Sequence, residues 1–173
     1  MKFHLVDRIQ SIEPERRPDG TRGGRIVTTK ALSLAEEYLA DHFPAFPVLP
    51  GVLMIEAMVQ SAAWLVRVQQ DFARSIVVLQ TVRNVKYSCF VQPGQILRCD
   101  VQATEIGDDR ARFRGAGFVG DRQAVSGRLE LRCFNLADEG TCGRGVDEAI
   151  VAGLREQFKL IGGPEALAAG GSA

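Results

Sequence analysis

Hydrophobic and polar positions change period along this chain, and each change predicts an element. From Gly51 to Gln70 nearly every position is apolar, strong helix formers dominate, and neither proline nor a further glycine intervenes. That composition predicts a long helix buried in a core. After it the period drops to two. Ser75 to Ser88 is rich in valine and isoleucine, and Leu97, Cys99, Val101 and Ala103 then alternate with Arg98, Asp100, Gln102 and Thr104. Further on, Ala111, Phe113 and Val119 oppose Arg110, Arg112 and Arg114, and Val125, Leu129, Leu131 and Cys133 form the inward face of Arg122 to Phe134. Pro93-Gly94, Gly107-Asp108-Asp109 and Gly120-Asp121 separate these runs as turns. Successive antiparallel strands are expected.

Ahead of the helix, Phe3 to Ile9 and Arg25 to Leu32 have strand-like composition, with a charged, turn-rich loop from Glu13 to Gly24 between them. Ser33-Leu-Ala-Glu36 is a capping-box pattern and predicts a short helix over Leu34 to Leu39. Beyond the strands, Asp138 to Gly145 reads as a glycine-rich linker. Val146, Ile150, Leu154 and Phe158 then recur at near-helical spacing, predicting an amphipathic helix that packs on the sheet or on a neighbouring subunit. The closing residues GGPEALAAGGSA have little to bury and are expected to fray. The chain therefore divides into one domain over 1–137 and a linker, helix and flexible tail over 138–173. An antiparallel sheet of roughly five to seven strands needs one face covered. Only 51–70 is long and apolar enough to cover it, so the expected fold is α+β, a sheet wrapped around one central helix: the hotdog arrangement.

Composition narrows the function. With 173 residues the chain suits a single domain, and 21 basic against 21 acidic side chains give no net charge. Neither a nucleic acid nor an anionic membrane is favoured as the main partner. The amino terminus is too charged for a secretory signal, and Glu56 and Gln60 interrupt the longest apolar run, so a cytoplasmic protein without membrane insertion is expected. Cys89, Cys99, Cys133 and Cys142 show no C-x-x-C pair and read as free, buried thiols. His4 and His42 are the only imidazoles, which excludes a histidine-rich zinc site.

Candidate chemistry gathers at the start of the long helix. Pro44, Pro47 and Pro50 stiffen the loop before it, and that loop holds His42 against the helix. A positioned histidine is the commonest general base near neutral pH. Glu56 is the one ionisable side chain in the first turns, and its apolar neighbours leave it little polar surface to reach. A buried carboxyl facing a cleft suits acid–base work. Gln60, one turn on, can hold one of its oxygens. The N–H groups of Gly51, Val52 and Leu53 lack intrahelical acceptors and favour developing negative charge, as on a thioester carbonyl.

The segment His42-Phe-Pro-Ala-Phe-Pro47-Val-Leu-Pro50-Gly51-Val-Leu-Met-Ile-Glu56-Ala-Met-Val-Gln60 closely resembles the active-site motif of bacterial 3-hydroxyacyl-acyl carrier protein dehydratases. Phe3-His-Leu-Val-Asp7-Arg8, Lys86-Tyr87 and Val91-Gln-Pro93-Gly94 are similar to further family segments. The resemblance implies that His42 removes the proton next to the thioester carbonyl, that Glu56 protonates or orients the leaving hydroxyl, and that the Gly51 N–H holds the carbonyl. It gives Gln60 a supporting role and places Phe43, Phe46, Val48 and Pro50 along an acyl tunnel. It further implies no metal or organic cofactor, and a homodimer, with a trimer of dimers as the larger alternative, in which the histidine of one subunit meets the acid of the other. The substrate would arrive as hydroxyacyl-phosphopantetheine on an acidic carrier protein, for which Arg83, Lys86, Arg112 and Arg114 are the candidate basic rim. The family usually has glycine where Ala45 stands and often a polar residue at Phe46, which implies a tighter loop and a differently lined tunnel.

Two other functions fit the fold. A hotdog thioesterase would use a helix carboxylate to activate water but has no need of the His-Phe-Pro loop. A non-catalytic acyl-binding subunit would gain nothing from burying a carboxylate. No basic helix-turn-helix segment supports a transcription regulator.

Overall fold

The computed structural model describes residues 4–140 and 143–170. Six strands form one antiparallel sheet: β1 (Arg8–Arg16), β2 (Arg22–Ala31), β3 (Ile76–Tyr87), β4 (Ile96–Ile106), β5 (Arg110–Val119) and β6 (Arg122–Phe134). Their spatial order is β1-β2-β4-β5-β6-β3, which leaves β1 and β3 as the two edges. Helix α1 (Gly51–Gln69) lies across the inner face, and α2 (Arg144–Leu160) and α3 (Gly163–Gly170) follow the last strand.

The period-two runs become the inner face as their alternation requires. Leu97, Cys99, Val101 and Ala103 of β4, Phe113 of β5 and Leu129, Leu131 and Cys133 of β6 are buried against Met58, Ala62, Leu65 and Val66 of α1. Buried polar contacts also tie helix to sheet, among them the Gln69 amide of α1, which donates to the Gly23 carbonyl of β2 at 2.6 Å. The hydroxyls of Thr28 and Ser61 lie 2.7 Å apart, and Ser61 also donates to the Ala57 carbonyl at 2.6 Å. Among the described residues α1 is the one helix long and apolar enough to cross a membrane, and 61% of that window is buried inside the fold.

Three expectations are corrected. Strand β1 runs over Arg8–Arg16, well into the segment read as a loop, while Phe3 lies outside the described residues. Pro14 disguised it. An edge strand tolerates a residue without N–H, and Pro14 sits opposite Gly24 on β2, the only strand that pairs with β1 among the described residues. The short helix shrinks to a single 3₁₀ turn, Glu37–Leu39, because the Glu36 carboxylate pairs with Lys30 at 2.7 Å instead of closing the capping box.

The end of the chain is ordered through Gly170 rather than frayed. Helix α2 is anchored at its start by Asp147, which accepts the Ser75 hydroxyl and the N–H groups of Leu136 and Ala137, the latter two at 2.9 Å each. At its end Phe158 packs between Trp64 and Phe72, tilted to the first and edge-on to the second, with centroids 5.8 and 5.7 Å away. Gly162, at φ +80°, reverses the chain into α3, which lies along β1. Gly170 permits that close approach, since a side chain there would meet the Ile12 carbonyl oxygen at 2.6 Å, a kind of packing that hydrophobic content alone does not signal.

Candidate active site

The loop before α1 is held by its own backbone. Phe43 and Phe46 exchange N–H···O bonds at 3.2 and 2.9 Å, the Val48 N–H donates to the His42 carbonyl at 3.1 Å, and the Leu49 N–H donates to Val91 at 2.8 Å. The His42 ring turns back onto this frame. Its Nδ1 lies 3.3 Å from the Val48 carbonyl oxygen, and its face stacks on Phe43 at 4.3 Å. A carbonyl can only accept, so Nδ1 carries the proton of the neutral ring and Nε2 keeps a free lone pair.

His42 lines a cavity of about 370 Å³ together with Val48, Leu49, Gly51 and Met54. The opposite wall is Tyr87, Ser88, Cys89 and Phe90, from the end of β3 and the loop after it. Gly51 fits this place because a side chain there would meet the Tyr87 ring at 2.9 Å. At the helix start the Pro50 carbonyl accepts the N–H groups of Leu53 and Met54, at 2.9 and 3.2 Å. The expected trio of open donors is therefore a pair, Gly51 and Val52.

The expected tunnel residues divide. Val48 lines the cavity; Phe43 backs the imidazole; Phe46 meets the cavity residue Phe90 edge-on at 5.5 Å; Pro50 is the residue before the first helical turn. Tyr87 through Phe90 were missed as lining, although Lys86-Tyr87 stood out in the sequence. Their place became legible only with the fold, since it depends on β3 ending beside the start of α1.

Glu56 faces elsewhere. Five residues at about 100° per residue set its side chain roughly 140° around the helix from position 51, and it is absent from the lining of the His42 cavity. Glu56, Gln60, Ala63, Trp64 and Arg67 instead form a stripe lining a second cleft of about 210 Å³. Glu56 is half-buried, less enclosed than its sequence neighbours suggested. The Gln60 amide donates to its carboxylate at 2.9 Å and accepts the Leu5 N–H at 2.9 Å.

Of the candidate basic residues, Arg83, Arg112 and Arg114 line one groove on the outer sheet face with Arg128, and Lys86 is not among its lining. Arg83, Arg128 and Arg114 sit opposite one another on β3, β6 and β5. Adjacent like charges in a cross-strand row repel unless an anion lies over them. Arg112 has partners in Glu105 at 3.2 Å and Glu130 at 3.7 Å. Among the described residues no cluster of histidine, cysteine and acidic side chains could hold a metal.

Residues 1–128 match the model of the FabA-like domain family. The chain is 32% identical to a Clostridium kluyveri 3-hydroxyacyl-[acyl-carrier-protein] dehydratase FabZ over 127 residues, covering 73% of this chain and 83% of that protein. It is 35% identical to the Pelotomaculum thermopropionicum FabZ over 127 residues, 73% of this chain and 85% of that one. Among solved structures, a chain of the dehydratase heterocomplex ApeI:P from Xenorhabdus doucetiae superposes with a TM-score of 0.59 at 18% identity, over 76% of this chain and 83% of that one. At that identity the likeness concerns the fold.

Proposed function

The chain belongs to the FabA-like family of 3-hydroxyacyl-[acyl-carrier-protein] dehydratases, and we propose that it removes water from a (3R)-hydroxyacyl thioester to give the trans-2-enoyl thioester in fatty-acid or related lipid synthesis. In this reading the thioester carbonyl accepts the Gly51 N–H, which stabilises the charge that grows on its oxygen. His42 Nε2 takes the proton from the adjacent carbon. The electrons of that C–H bond become the carbon–carbon double bond, and the C–O bond breaks as protonated Glu56 delivers its proton to the departing hydroxyl. Water leaves. Return of the proton from the imidazolium to the carboxylate restores both groups.

The observation that carries the proposal is the Nδ1–Val48 contact, which leaves Nε2 as a lone-pair donor in an apolar cavity beside an open helix amino terminus. Because Glu56 faces away from that cavity, the acid is supplied by a second copy of the chain. The open edge strand β3, with Val78, Val82 and Val85 exposed along it, supports a two-fold partner there. The arginine groove supports docking of an acidic carrier protein. We place the enzyme in the cytoplasm as a homodimer that needs no metal or organic cofactor.

The test is enoyl formation from (3R)-hydroxyacyl thioesters, followed by absorbance, alongside free-thiol release from saturated acyl thioesters. Enoyl product that disappears in His42→Ala and in Glu56→Gln supports the assignment. Thiol release without enoyl product would replace it with a thioesterase.

A further inference from the structure

The cleft that holds Glu56 is completed by residues outside the region matched by the family model. Leu154 and Gln157 of α2 line it together with Glu56, while the matched region ends at residue 128. This wall is fixed in place. Phe158 is wedged between Trp64 and Phe72, and the Gln157 amide donates to His4 Nδ1 at 2.8 Å, tying α2 to the amino-terminal segment. The far end is also polar. The Arg67 guanidinium lies 5.0 Å over the Trp64 ring, its Nε has no hydrogen-bond partner among the described residues, and burial pulls its pKa down to about 10, so it stays charged at neutral pH.

If Glu56 protonates the hydroxyl on the third carbon, the remaining acyl carbons continue past it into this cleft. At about 210 Å³ the space is smaller than the roughly 300–1,000 Å³ of ordinary ligand pockets. A longer hydrocarbon tail would have to lie against the Arg67 guanidinium and the Gln157 amide, and it offers neither a hydrogen-bond partner. Resting on the dehydratase reading, we propose that α2 is an acyl-length stop, with Leu154 as the side chain that meets the tail, and that the preferred substrates carry short acyl groups.

Trp64 lines the cleft and is the only tryptophan in the chain, so its fluorescence reports occupancy without turnover. The full-length protein is titrated with saturated butyryl-, hexanoyl-, octanoyl- and dodecanoyl-pantetheine, in wild type, Leu154→Ala and Leu154→Phe. The expected result is a saturable response to the short probes that weakens with length in wild type. Leu154→Ala should improve dodecanoyl binding relative to butyryl by about tenfold, the gain from burying about two more methylenes. Leu154→Phe should move the limit below hexanoyl. Each ratio is taken within one protein sample, so a partly unfolded variant does not distort it. An unchanged dodecanoyl-to-butyryl ratio in both variants, or no Trp64 response to any probe, overturns the length stop. Enoyl formation without a Trp64 response removes the stop and leaves the dehydratase. A length-dependent response without enoyl formation removes the dehydratase and leaves an acyl site ended by α2.

Discussion

The side-chain amide of Gln60 donates to the Glu56 carboxylate at 2.9 Å, and its orientation is dictated from the other side by the Leu5 N–H. An N–H can bond only the amide oxygen, so the NH₂ group must face Glu56. Gln60→Ala should lower kcat about tenfold with little change in KM, as expected for a group that orients the acid. Gln60→Glu keeps an acceptor for Leu5 but sets two carboxyls side by side. It should alter the pH–rate profile where alanine does not. Identical profiles for the two variants would show that Gln60 only supports the fold.

Gly51 and Tyr87 share one space, since a side chain at Gly51 would approach the ring to 2.9 Å. Gly51→Ala should therefore cost about 1–3 kcal/mol through overpacking. In a Tyr87→Ala background most of that cost should vanish. Denaturant midpoints of the four proteins form the double-mutant cycle, and simple additivity would rule the contact out.

Cysteine reactivity maps the His42 cavity. Burial pushes the Cys99 thiol up to about 12 and the Cys133 thiol up to about 11, and both lie in the core, whereas Cys89 is half-buried and lines the cavity. In a Cys142→Ser background, chosen because Cys142 lies outside the described residues, iodoacetamide should modify Cys89 first. Saturated acyl thioesters should slow it. Equal labelling with and without ligand would separate Cys89 from the acyl path.

The hold of α2 on the sheet should weaken in acid. Asp147 has its pKa lowered, first by the Ser75 hydroxyl and then by the N–H groups of Ala137 and Leu136. A carboxylate depressed in the folded state stabilises above its unfolded pKa of about 4 and loses that contribution as pH falls through the lower folded value. The stability gap between wild type and Asp147→Asn, measured by urea unfolding, should thus be full at neutral pH and shrink on acidification. A gap that widens in acid would contradict the assignment.

How much was legible in the sequence follows from how local each signal is. The alternation in β4, β5 and β6 and the apolar run of α1 carry their own period, and both elements stand where the pattern placed them. Residues 42–60 likewise carry the proposed His42, Gly51, Glu56 and Gln60 within one segment, although one copy of the chain divides them between two clefts. What failed depended on distant partners. Pro14 is tolerable in a strand only because β1 is an edge; Glu36 leaves its cap for Lys30; α3 is held by contacts with β1 that no pattern within its own residues encodes. Tyr87 and Cys89 entered the site for the same reason. The opposed facing of Gly51 and Glu56 was readable from helix geometry, but its consequence needed the cavities.

The central claim is that His42 of one copy works with Glu56 of another. His42→Ala and Glu56→Gln, each purified and inactive, are mixed under conditions that exchange subunits. Random pairing into two-fold dimers gives half mixed dimers, each with one intact site, so dehydration should return to about a quarter of the wild-type rate. Activity that stays at the level of the separate variants, with mixed dimers shown to have formed, would contradict a site shared between chains.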